Sequence, residues 1–500
     1  MQDPDTEFIR VRPIWFRVAL VCRHWRSIAL STPALFSYIN LSEAYRLPIA
    51  EWLSLSKSTS LKVVGATYGE RARPSNPFDM LLAHLERVQS LKIIVATDME
   101  LPPTCPLFLP LMESMYYIFD GKTDSAGRAA LCGLLARSPN LTRLTLDFTT
   151  VIEMACISYI SHKFLTRLKL VAWENMEKGE TDSAKLISLV QHLPHLDDLE
   201  VASQRVRQPT IKPFRLFTAK KTHPLTRFKA SGSIQSIISF LASGTIAPRI
   251  LDISMGSDGP LDDETVDLVS DVLVNLPGVE RDKILSVGFG GSGQGGEVGI
   301  CNYGLQGFTC PIIPTASQLA KTRVSPVLKM DFIFEHVYYD VIKRAHRIGT
   351  QWISGLLGTL PEVKSANIMT PRYYDRGQSP LNPVVMEACA KFGQANDLRI
   401  SIDTRQGLQV FLTQFEDCEL LPHLSALRII FVTDVNICID TLYAIYDSLS
   451  IRQTRGGSRL EGLVLDSWAR EWDLSCVSEG VEKVRELVGE LQLIDASGLD

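Results

Sequence analysis

A short glycine-rich segment comes closest of all parts of the sequence to a cofactor-binding motif. Residues 291–296 read Gly-Ser-Gly-Gln-Gly-Gly, which satisfies the pattern GxGxxG, and residues 284–287 before them could form a strand. The phosphate-binding form of this pattern needs a helix that begins at the third glycine, because the free N–H groups of that helix face the pyrophosphate. Residues 297–304 have poor helix propensity. The sequence therefore favours a flexible loop here, with an enzyme carrying a glycine-loop cofactor site as an alternative.

Other residues that could do chemistry are scattered. His192 and His195 are close in sequence, but Pro194 breaks the helix that would bring both rings to one face, and no third ligand follows at a usual spacing. The carboxylates at 262–264 and 416–417 suit solvated helix faces. The motifs GxSxG, HExxH and GxxxxGK[ST] do not occur. We therefore predict that the protein is not an enzyme and has no catalytic residue, metal or cofactor.

Composition indicates a globular protein without a general affinity for polyanions. The chain has 500 residues, 45% hydrophobic and 21% charged, with a net charge of −5. This charge gives no electrostatic reason to bind nucleic acid or an anionic membrane. Acidic residues stand where a signal peptide would have basic ones, and no apolar run approaches the length of a bilayer span. The ten cysteines form no CxxC pair, which is typical of a cytoplasmic or nuclear protein.

One short phrase recurs along the chain: an apolar residue, two variable ones, an apolar residue, one variable residue and one apolar residue. Three copies share the wording Leu-Thr-Arg. The copies lie at residues 88–93, 141–146, 165–170, 196–201, 225–230, 248–253, 327–332, 363–368, 424–429 and 460–465, with weaker ones at 112–117 and 395–400.

Sequence with helical character precedes many of these phrases, and a proline often separates the two. The helix-compatible stretches are 129–136, 183–192, 265–275, 345–358 and 441–449. Each unit is then a helix, a turn and a short strand with one polar face. The pattern resembles degenerate leucine-rich repeats, which implies an α/β fold in which the units stack into a curved solenoid. The alternative is a doubly wound α/β domain, whose strands are usually continuous apolar runs.

Two segments depart from this repeat. Residues 288–325 are rich in glycine and proline, and nothing in them has helical periodicity, so we expect a loop or insertion that interrupts the stack. Residues 370–383 have the same character. We therefore predict a mobile connection without a ligand at 288–299.

The N-terminal region contains a second recognisable pattern. Residues 18–36 place apolar residues at helical spacing around Trp25, and Thr32 with Pro33 can end one helix and begin another. The wording LVCRHWRSIALSTPALF closely resembles the C-terminal half of an F-box, the module that docks substrate receptors onto a cullin ubiquitin ligase. The resemblance places six residues in the adaptor-binding module, with Trp25 anchoring its small core. These are Leu20, Val21, Trp25, Ile28, Pro33 and Leu35.

The F-box resemblance is incomplete, because the usual first helix with its Leu-Pro pair has no counterpart in residues 1–13. The module is either degenerate or lacks its natural start. We expect a partial F-box-like helical module at 1–45 and the repeats at 46–500. The resemblance implies a non-catalytic substrate-recognition subunit of a Skp–cullin–F-box ligase, with a Skp-type adaptor, a cullin and an unidentified protein substrate as partners. A leucine-rich-repeat scaffold that has lost adaptor binding is the alternative.

The repeats also predict a binding face. In a strand, alternate side chains point to opposite faces, so the residues around each second apolar position share the polar side of the sheet. The basic residues placed there are candidates for binding an acidic or phosphorylated segment, with Asp198 and Glu200 interrupting them. These candidates are Lys92, Arg143, Arg167, Lys169, Arg227 and Lys229.

Overall fold

The structure is a computed structural model that divides into two compact α/β units. Unit 1 comprises Met1–Gly232 with Ser243–Thr245, and unit 2 comprises Ser233–Ala242 with Ile246–Asp500. The residues that the structure describes are 20–41, 49–67, 77–95, 108–119, 125–148, 160, 162–171, 180–202, 222–257, 261, 263–284, 286–294, 299–308, 326, 328–337, 348, 351–352, 355–356, 359–360, 362–369, 394–402, 405–419, 421–431, 439–467 and 474–494.

Unit 1 alternates helices and strands. Its helices are α1 (Arg23–Ser31), α2 (Ile49–Leu55), α3 (Pro77–Leu82), α4 (Ser125–Arg137) and α5 (Glu180–His192), with short 3-10 turns at Pro33–Phe36 and Leu85–Arg87. Its strands are β1 (Tyr38–Asn40), β2 (Leu61–Thr67), β3 (Val88–Val95), β4 (Ser114–Phe119), β5 (Arg143–Phe148), β6 (Arg167–Val171), β7 (Asp198–Ala202) and β8 (His223–Ser233).

The strands of unit 1 form one parallel sheet in the order of the sequence. Each strand from β1 to β8 pairs with the next one along the chain, and every pairing is parallel. A doubly wound domain would reverse its strand order at a switch point. The sequential order, together with one polar face, is that of stacked helix–strand repeats.

The threonine of the recurring Leu-Thr-Arg sequence forms hydrogen bonds between neighbouring repeats in unit 1. The hydroxyl of Thr142 donates to the carbonyl oxygen of Glu113 at 2.9 Å, and the hydroxyl of Thr166 donates to that of Thr142 at 3.1 Å. The backbone N–H groups of the same threonines donate to the same carbonyls. The threonine at the start of a strand therefore ties its repeat to the preceding one, while the leucine before it, Leu141 or Leu165, is fully buried.

Unit 2 contains the remaining elements. Its helices are α6 (Ile234–Ala242), α7 (Asp263–Asn275), α8 (Arg405–Phe415), α9 (Ile439–Thr454) and α10 (Leu474–Leu487). Its strands are β9 (Ile246–Ser257), β10 (Ser286–Gln294), β11 (Gly299–Phe308), β12 (Leu328–Val337), β13 (Ser365–Met369), β14 (Asp397–Ile402), β15 (Ala426–Phe431), β16 (Gly462–Ser467) and β17 (Glu490–Ile494).

The glycine-rich segment of unit 2 is a pair of strands, so the prediction of a loop is wrong for its described part. Strand β10 pairs antiparallel with β11 and parallel with β13, and β11 pairs antiparallel with β12. Strand β12 in turn pairs parallel with β9. The order in this part of the sheet is therefore β9, β12, β11, β10, β13. Residues 295–298 and 309–325 lie outside the described residues.

Backbone pairing explains why the glycine-rich segment is not the loop that its composition predicted. A strand in the middle of a sheet has both edges hydrogen-bonded, so glycines that would be flexible in isolation are held by two neighbours. Beyond β13 the sheet returns to sequential parallel pairing through β14, β15, β16 and β17. The glycine-rich segment thus adds strands to the sheet and does not interrupt it.

Every one of the recurring phrases overlaps a strand, so that prediction is confirmed. The predicted helices at 129–136, 183–192, 265–275 and 441–449 are confirmed as α4, α5, α7 and α9. Most of 345–358 and all of 370–383 lie outside the described residues. Trp352 is described and is buried, and its indole N–H donates to the carbonyl oxygen of Val266 at 3.0 Å. The proposed boundary at residue 45 stays a prediction, although β1 before it already pairs with β2.

Candidate functional site

The polar face of the unit 1 sheet carries its charged side chains in two rows. The register of β2–β8 places Lys62, Ser90, Ser114, Arg143, Arg167, Asp198 and Arg227 side by side. Two residues further along each strand, the second row contains Val64, Lys92, Tyr116, Thr145, Lys169, Glu200 and Lys229. All six basic candidates predicted from the sequence lie in these rows, and the structure adds Lys62, Tyr116 and Thr145 to them.

Alternating burial along the strands confirms which face is polar. On β5, Leu144 and Leu146 are almost completely buried, whereas Arg143, the residue immediately before Leu144, is exposed. The same alternation on β6 buries Leu168 and leaves Arg167 exposed. Lys62 was missed because β2 was not recognised as a copy of the phrase. In register, a single residue, Lys62, separates Leu61 from Val63, whereas β3 has two residues between Val88 and Leu91.

Acidic residues neutralise the part of this face nearest β8. Arg167 forms an ion pair with Asp198 at 3.1 Å. Glu200 forms ion pairs with Lys169 at 3.3 Å and with Lys229 at 2.9 Å. Burial raises the pKa of Asp198 even though Arg167 and Arg227 act to lower it. Ion pairs at partly exposed positions contribute about 0–1 kcal/mol each to stability, so their main effect is on the local potential.

Lys92 differs from the other basic candidates because its side chain is nearly buried. It is 9% exposed, and its ammonium nitrogen lies 4.5 Å from the ring centre of Tyr116, which is a cation–π contact. Lys92 therefore contributes to packing on this face more than to an accessible charge. Further along the sheet, burial raises the pKa of Asp147, with Lys169 opposing the shift.

Arg143 and Arg167 form the accessible basic part of the face. They are neighbours in register on β5 and β6. The other neighbour of Arg143 is Ser114, and among the described residues no ion pair to Arg143 occurs. Two adjacent guanidinium groups can bind a carboxylate or phosphate through several charge-assisted hydrogen bonds. This pair is the centre of the candidate binding face.

Asp252 and Asp331, which follow the basic candidates along the sequence, lie in unit 2 around a lysine. Lys329 pairs with Asp252 at 3.5 Å and with Asp331 at 3.1 Å. Burial alone would lower the pKa of Lys329, but the two carboxylates outweigh it and raise that pKa. The single charge of Lys329 is therefore shared between the two carboxylates.

The N-terminal candidates are exposed, and the expectation that Trp25 anchors a buried core is wrong. The exposed fractions of Leu20, Val21, Trp25 and Ile28 are 63%, 68%, 48% and 42%. On α1 the buried residue is Ala29. Pro33 and Leu35 are half-buried in the following 3-10 turn. The apolar stripe of the sequence exists, but it faces outward.

Phe36 takes the buried position expected of Trp25. Its side chain is 2% exposed, and its ring packs edge-to-face against Trp52 with 6.2 Å between the ring centres. Thr32 precedes Pro33 as predicted, but its side chain does not cap the following turn; its hydroxyl donates backwards to the carbonyl oxygen of Ile28 at 2.7 Å.

The residues considered for metal or cofactor binding do not form such a site in the described parts of the chain. His192 and His195 are both exposed, and a ring nitrogen of His192 is 2.6 Å from the carbonyl oxygen of Ser188. No group of three or more His, Cys, Asp or Glu side chains placed to hold a metal ion is present in those parts. Residues 291–294 lie in strand β10, and β11 begins at Gly299.

Comparison with known proteins gives only distant similarity, and that similarity is to solved structures. No protein-family model matches the sequence, and no curated protein matches it. Among solved structures, the chain is similar to the leucine-rich repeat-containing protein LegL7 from Legionella pneumophila, with 13% identity and a TM-score of 0.26. The match covers 72% of this chain and 84% of the other. In the described residues, no helix combines the length and apolar character needed to cross a bilayer.

Proposed function

We propose that this protein is a non-catalytic recognition scaffold that binds a partner protein through the polar face of β3–β8. The observation that carries this proposal is the adjacent pair Arg143 and Arg167, exposed and in register on a sheet with one polar face. A flat row of side chains on a rigid sheet suits an extended segment of a partner.

The chemistry of the face favours an acidic or phosphorylated segment as its ligand. The two rows of this face from β2 to β8 contain seven basic and two acidic side chains. The acidic residues Asp198 and Glu200 compensate the end near β8. The negative group of the ligand would therefore bind mainly at Arg143. Arg167 beside it remains exposed although it pairs with Asp198, and Lys62 extends the attraction towards β2.

Charge reversal on full-length protein tests this proposal. We expect Arg143→Glu with Arg167→Glu to reduce the recovery of co-purifying partners at least tenfold, measured by quantitative mass spectrometry. Lys163→Glu is the matched control, because Lys163 is exposed on the turn before β6 and outside both rows. Equal recovery by the double variant and the control would exclude this face as the recognition surface.

We further propose that the scaffold serves as the substrate-recognition subunit of a Skp–cullin–F-box ubiquitin ligase in the cytoplasm or nucleus. Two observations support this. The wording of residues 20–36 resembles the second half of an F-box, and the apolar side chains Val21, Trp25 and Ile28 lie exposed on one side of α1 and its N-terminus. Exposed apolar groups at helical spacing are typical of a surface that another helix covers.

Direct binding to a Skp-type adaptor tests the ligase proposal. We expect the purified chain to bind the adaptor, and Val21→Asp with Ile28→Asp to weaken that binding at least tenfold by biolayer interferometry. Phe164→Asp is the matched control, because Phe164 is a 55% exposed apolar residue elsewhere in unit 1. Partner capture without adaptor binding would favour the alternative of a leucine-rich-repeat scaffold that has lost ligase coupling.

A further inference from the structure

The polar face of unit 2 contains a recess that has no counterpart among the sites described above. It lies across β14–β17 and has a volume of about 220 Å³. Its lining residues that matter for recognition are Asp397, Arg399, Ala426, Arg428, Gly462 and Glu490.

Two small residues in the middle of a register row create this recess. Asp397, Ala426, Gly462 and Glu490 stand side by side on β14, β15, β16 and β17. A Cβ atom added at Gly462 would meet no other atom within 4 Å, so the space above this glycine is open. The floor of the recess is thus Ala426 and Gly462, and a carboxylate stands at each end of the row.

The two arginines beside the recess are already compensated. Arg399 lies 3.8 Å from Asp397, which also accepts a hydrogen bond from the hydroxyl of Ser365 at 2.9 Å. Arg428 forms an ion pair with Asp466, whose side chain is almost completely buried. The Nε of Arg428 has no hydrogen-bond partner among the described residues, but this atom is itself buried, so a ligand in the recess does not reach it.

Glu490 has no such cationic partner. Its carboxylate accepts a hydrogen bond from the side-chain amide of Gln492 at 2.7 Å, and among the described residues no lysine or arginine pairs with it. The recess is lined by the carboxylates of Asp397 and Glu490 and by two guanidinium groups, one of which, that of Arg428, is already paired with Asp466 outside the lining. The uncompensated negative charge stands next to the open space above Gly462.

We propose that this recess binds a lysine or arginine side chain from an extended segment of a partner protein. The aliphatic part of such a side chain lies on Ala426 and Gly462, and its charged end pairs with Glu490. An acidic side chain is disfavoured, because the carboxylates of Asp397 and Glu490 at the two ends of the row would repel it. The inference depends neither on adaptor binding nor on the basic face of unit 1.

Peptide selection against the immobilised full-length chain tests the inference. The probes are nine-residue random peptides with a fixed central Arg, Glu or norleucine. We expect peptides with central Arg to be enriched at least fivefold over those with norleucine, and a representative selected peptide to bind at least tenfold more weakly to Gly462→Leu, which fills the recess. Glu490→Gln should weaken the same peptide about fivefold, as expected for one partly exposed ion pair.

Glu486→Gln is the matched control, because Glu486 is exposed on α10 and outside the recess. It should leave the peptide affinity unchanged. If Gly462→Leu does not fold, Glu490→Gln compared with this control decides the result. The inference is wrong if central Arg is not enriched, or if the affinity of the selected peptide does not depend on Glu490. Enrichment of central Glu that is lost in Gly462→Leu would also overturn it and would assign the recess to Arg399 and Arg428.

Discussion

The guanidinium group of Arg452 caps the carboxyl end of α8 at Phe415. Its Nη1 donates to the carbonyl oxygen of Phe415 at 3.0 Å, and its carbon centre lies 4.5 Å from the centre of the Phe415 ring. The same group donates to the carbonyl oxygens of Asp417 and Leu421, and the residue is 1% exposed. Leu421 has a backbone φ of 62°, a left-handed conformation that is unfavourable for a leucine. Arg452 on α9 thus fixes the turn that leads from α8 to β15.

We predict that Arg452→Met lowers the free energy of unfolding of unit 2 by about 2–4 kcal/mol. The substitution removes the guanidinium donors of the Phe415 and Asp417 carbonyl oxygens and the contact with the Phe415 ring, and a buried carbonyl left without a donor costs about 1–3 kcal/mol. The carbonyl oxygen of Leu421 keeps the backbone N–H of Leu424 as a donor. Urea unfolding monitored by circular dichroism measures the change. The control is Arg455→Met, since Arg455 is exposed and its side-chain hydrogen bond to the carbonyl oxygen of Glu416 is 3.4 Å long. Similar values for the two variants would contradict the role assigned to Arg452.

A second prediction follows from the exchange of roles between Trp25 and Phe36. Phe36→Ala should destabilise unit 1 by about 3–5 kcal/mol, because it removes a buried aromatic ring that packs on Trp52. Trp25→Ala should cost less than about 1 kcal/mol, because that side chain is about half exposed. Thermal unfolding of both variants gives the comparison. A larger loss in Trp25→Ala would restore the view that Trp25 anchors a small core.

The third prediction concerns the glycine-rich strand β10. Val287→Pro should destabilise unit 2 by about 3 kcal/mol or more. Val287 has neighbours on both edges, Gly307 on β11 and Ala366 on β13, and proline lacks the one N–H that a residue of a central strand donates. Val287→Thr keeps the backbone N–H and serves as the control. Hydrogen exchange of residues 286–294 provides the measurement, and rapid exchange in the unsubstituted protein would show that the segment is a loop after all.

The fourth prediction is a loss of stability in weak acid that depends on His162. Its ring is 6% exposed, and its Nε2 is 2.9 Å from the carbonyl oxygen of Leu135. Burial lowers the pKa of His162 below the ordinary value, although the hydrogen bond to the Leu135 carbonyl opposes the shift. The unfolded chain therefore takes up a proton at a higher pH than the folded one does. Stability is complete above pH ~6.5 and falls as the pH decreases from there towards the folded-state pKa.

His162→Gln is the variant that tests this dependence, because glutamine can still donate to Leu135 but does not titrate. We expect the unfolding midpoint of the wild-type protein to fall more steeply than that of the variant between pH ~6.5 and ~5. His195→Gln, at an exposed position, should behave like the wild type. Parallel curves for wild type and His162→Gln would contradict the prediction.

The sequence by itself determined the repeating units, because local preferences are sufficient for them. Alternation of apolar and polar residues identifies a strand with one buried face, and proline ends the helix before it. The polar rows of unit 1 could be predicted for the same reason, since the position of Arg143 or Arg167 relative to its buried leucines fixes the face on which it lies. Register between strands then follows from aligning equivalent positions of the repeats.

Only the tertiary structure decided the features that depend on pairing between distant segments. Glycine composition cannot show that residues 286–294 have partners on both edges, since those partners, β11 and β13, come from other parts of the chain. A helical apolar stripe does not show whether anything covers it, which is why Trp25 was expected inside and Phe36 was not. The recess at Gly462 is likewise invisible in sequence, because it requires Asp397, Ala426 and Glu490 to become neighbours across four strands. Spacing within a segment fixes the direction of a side chain, whereas its surroundings are fixed by which segments pack beside it.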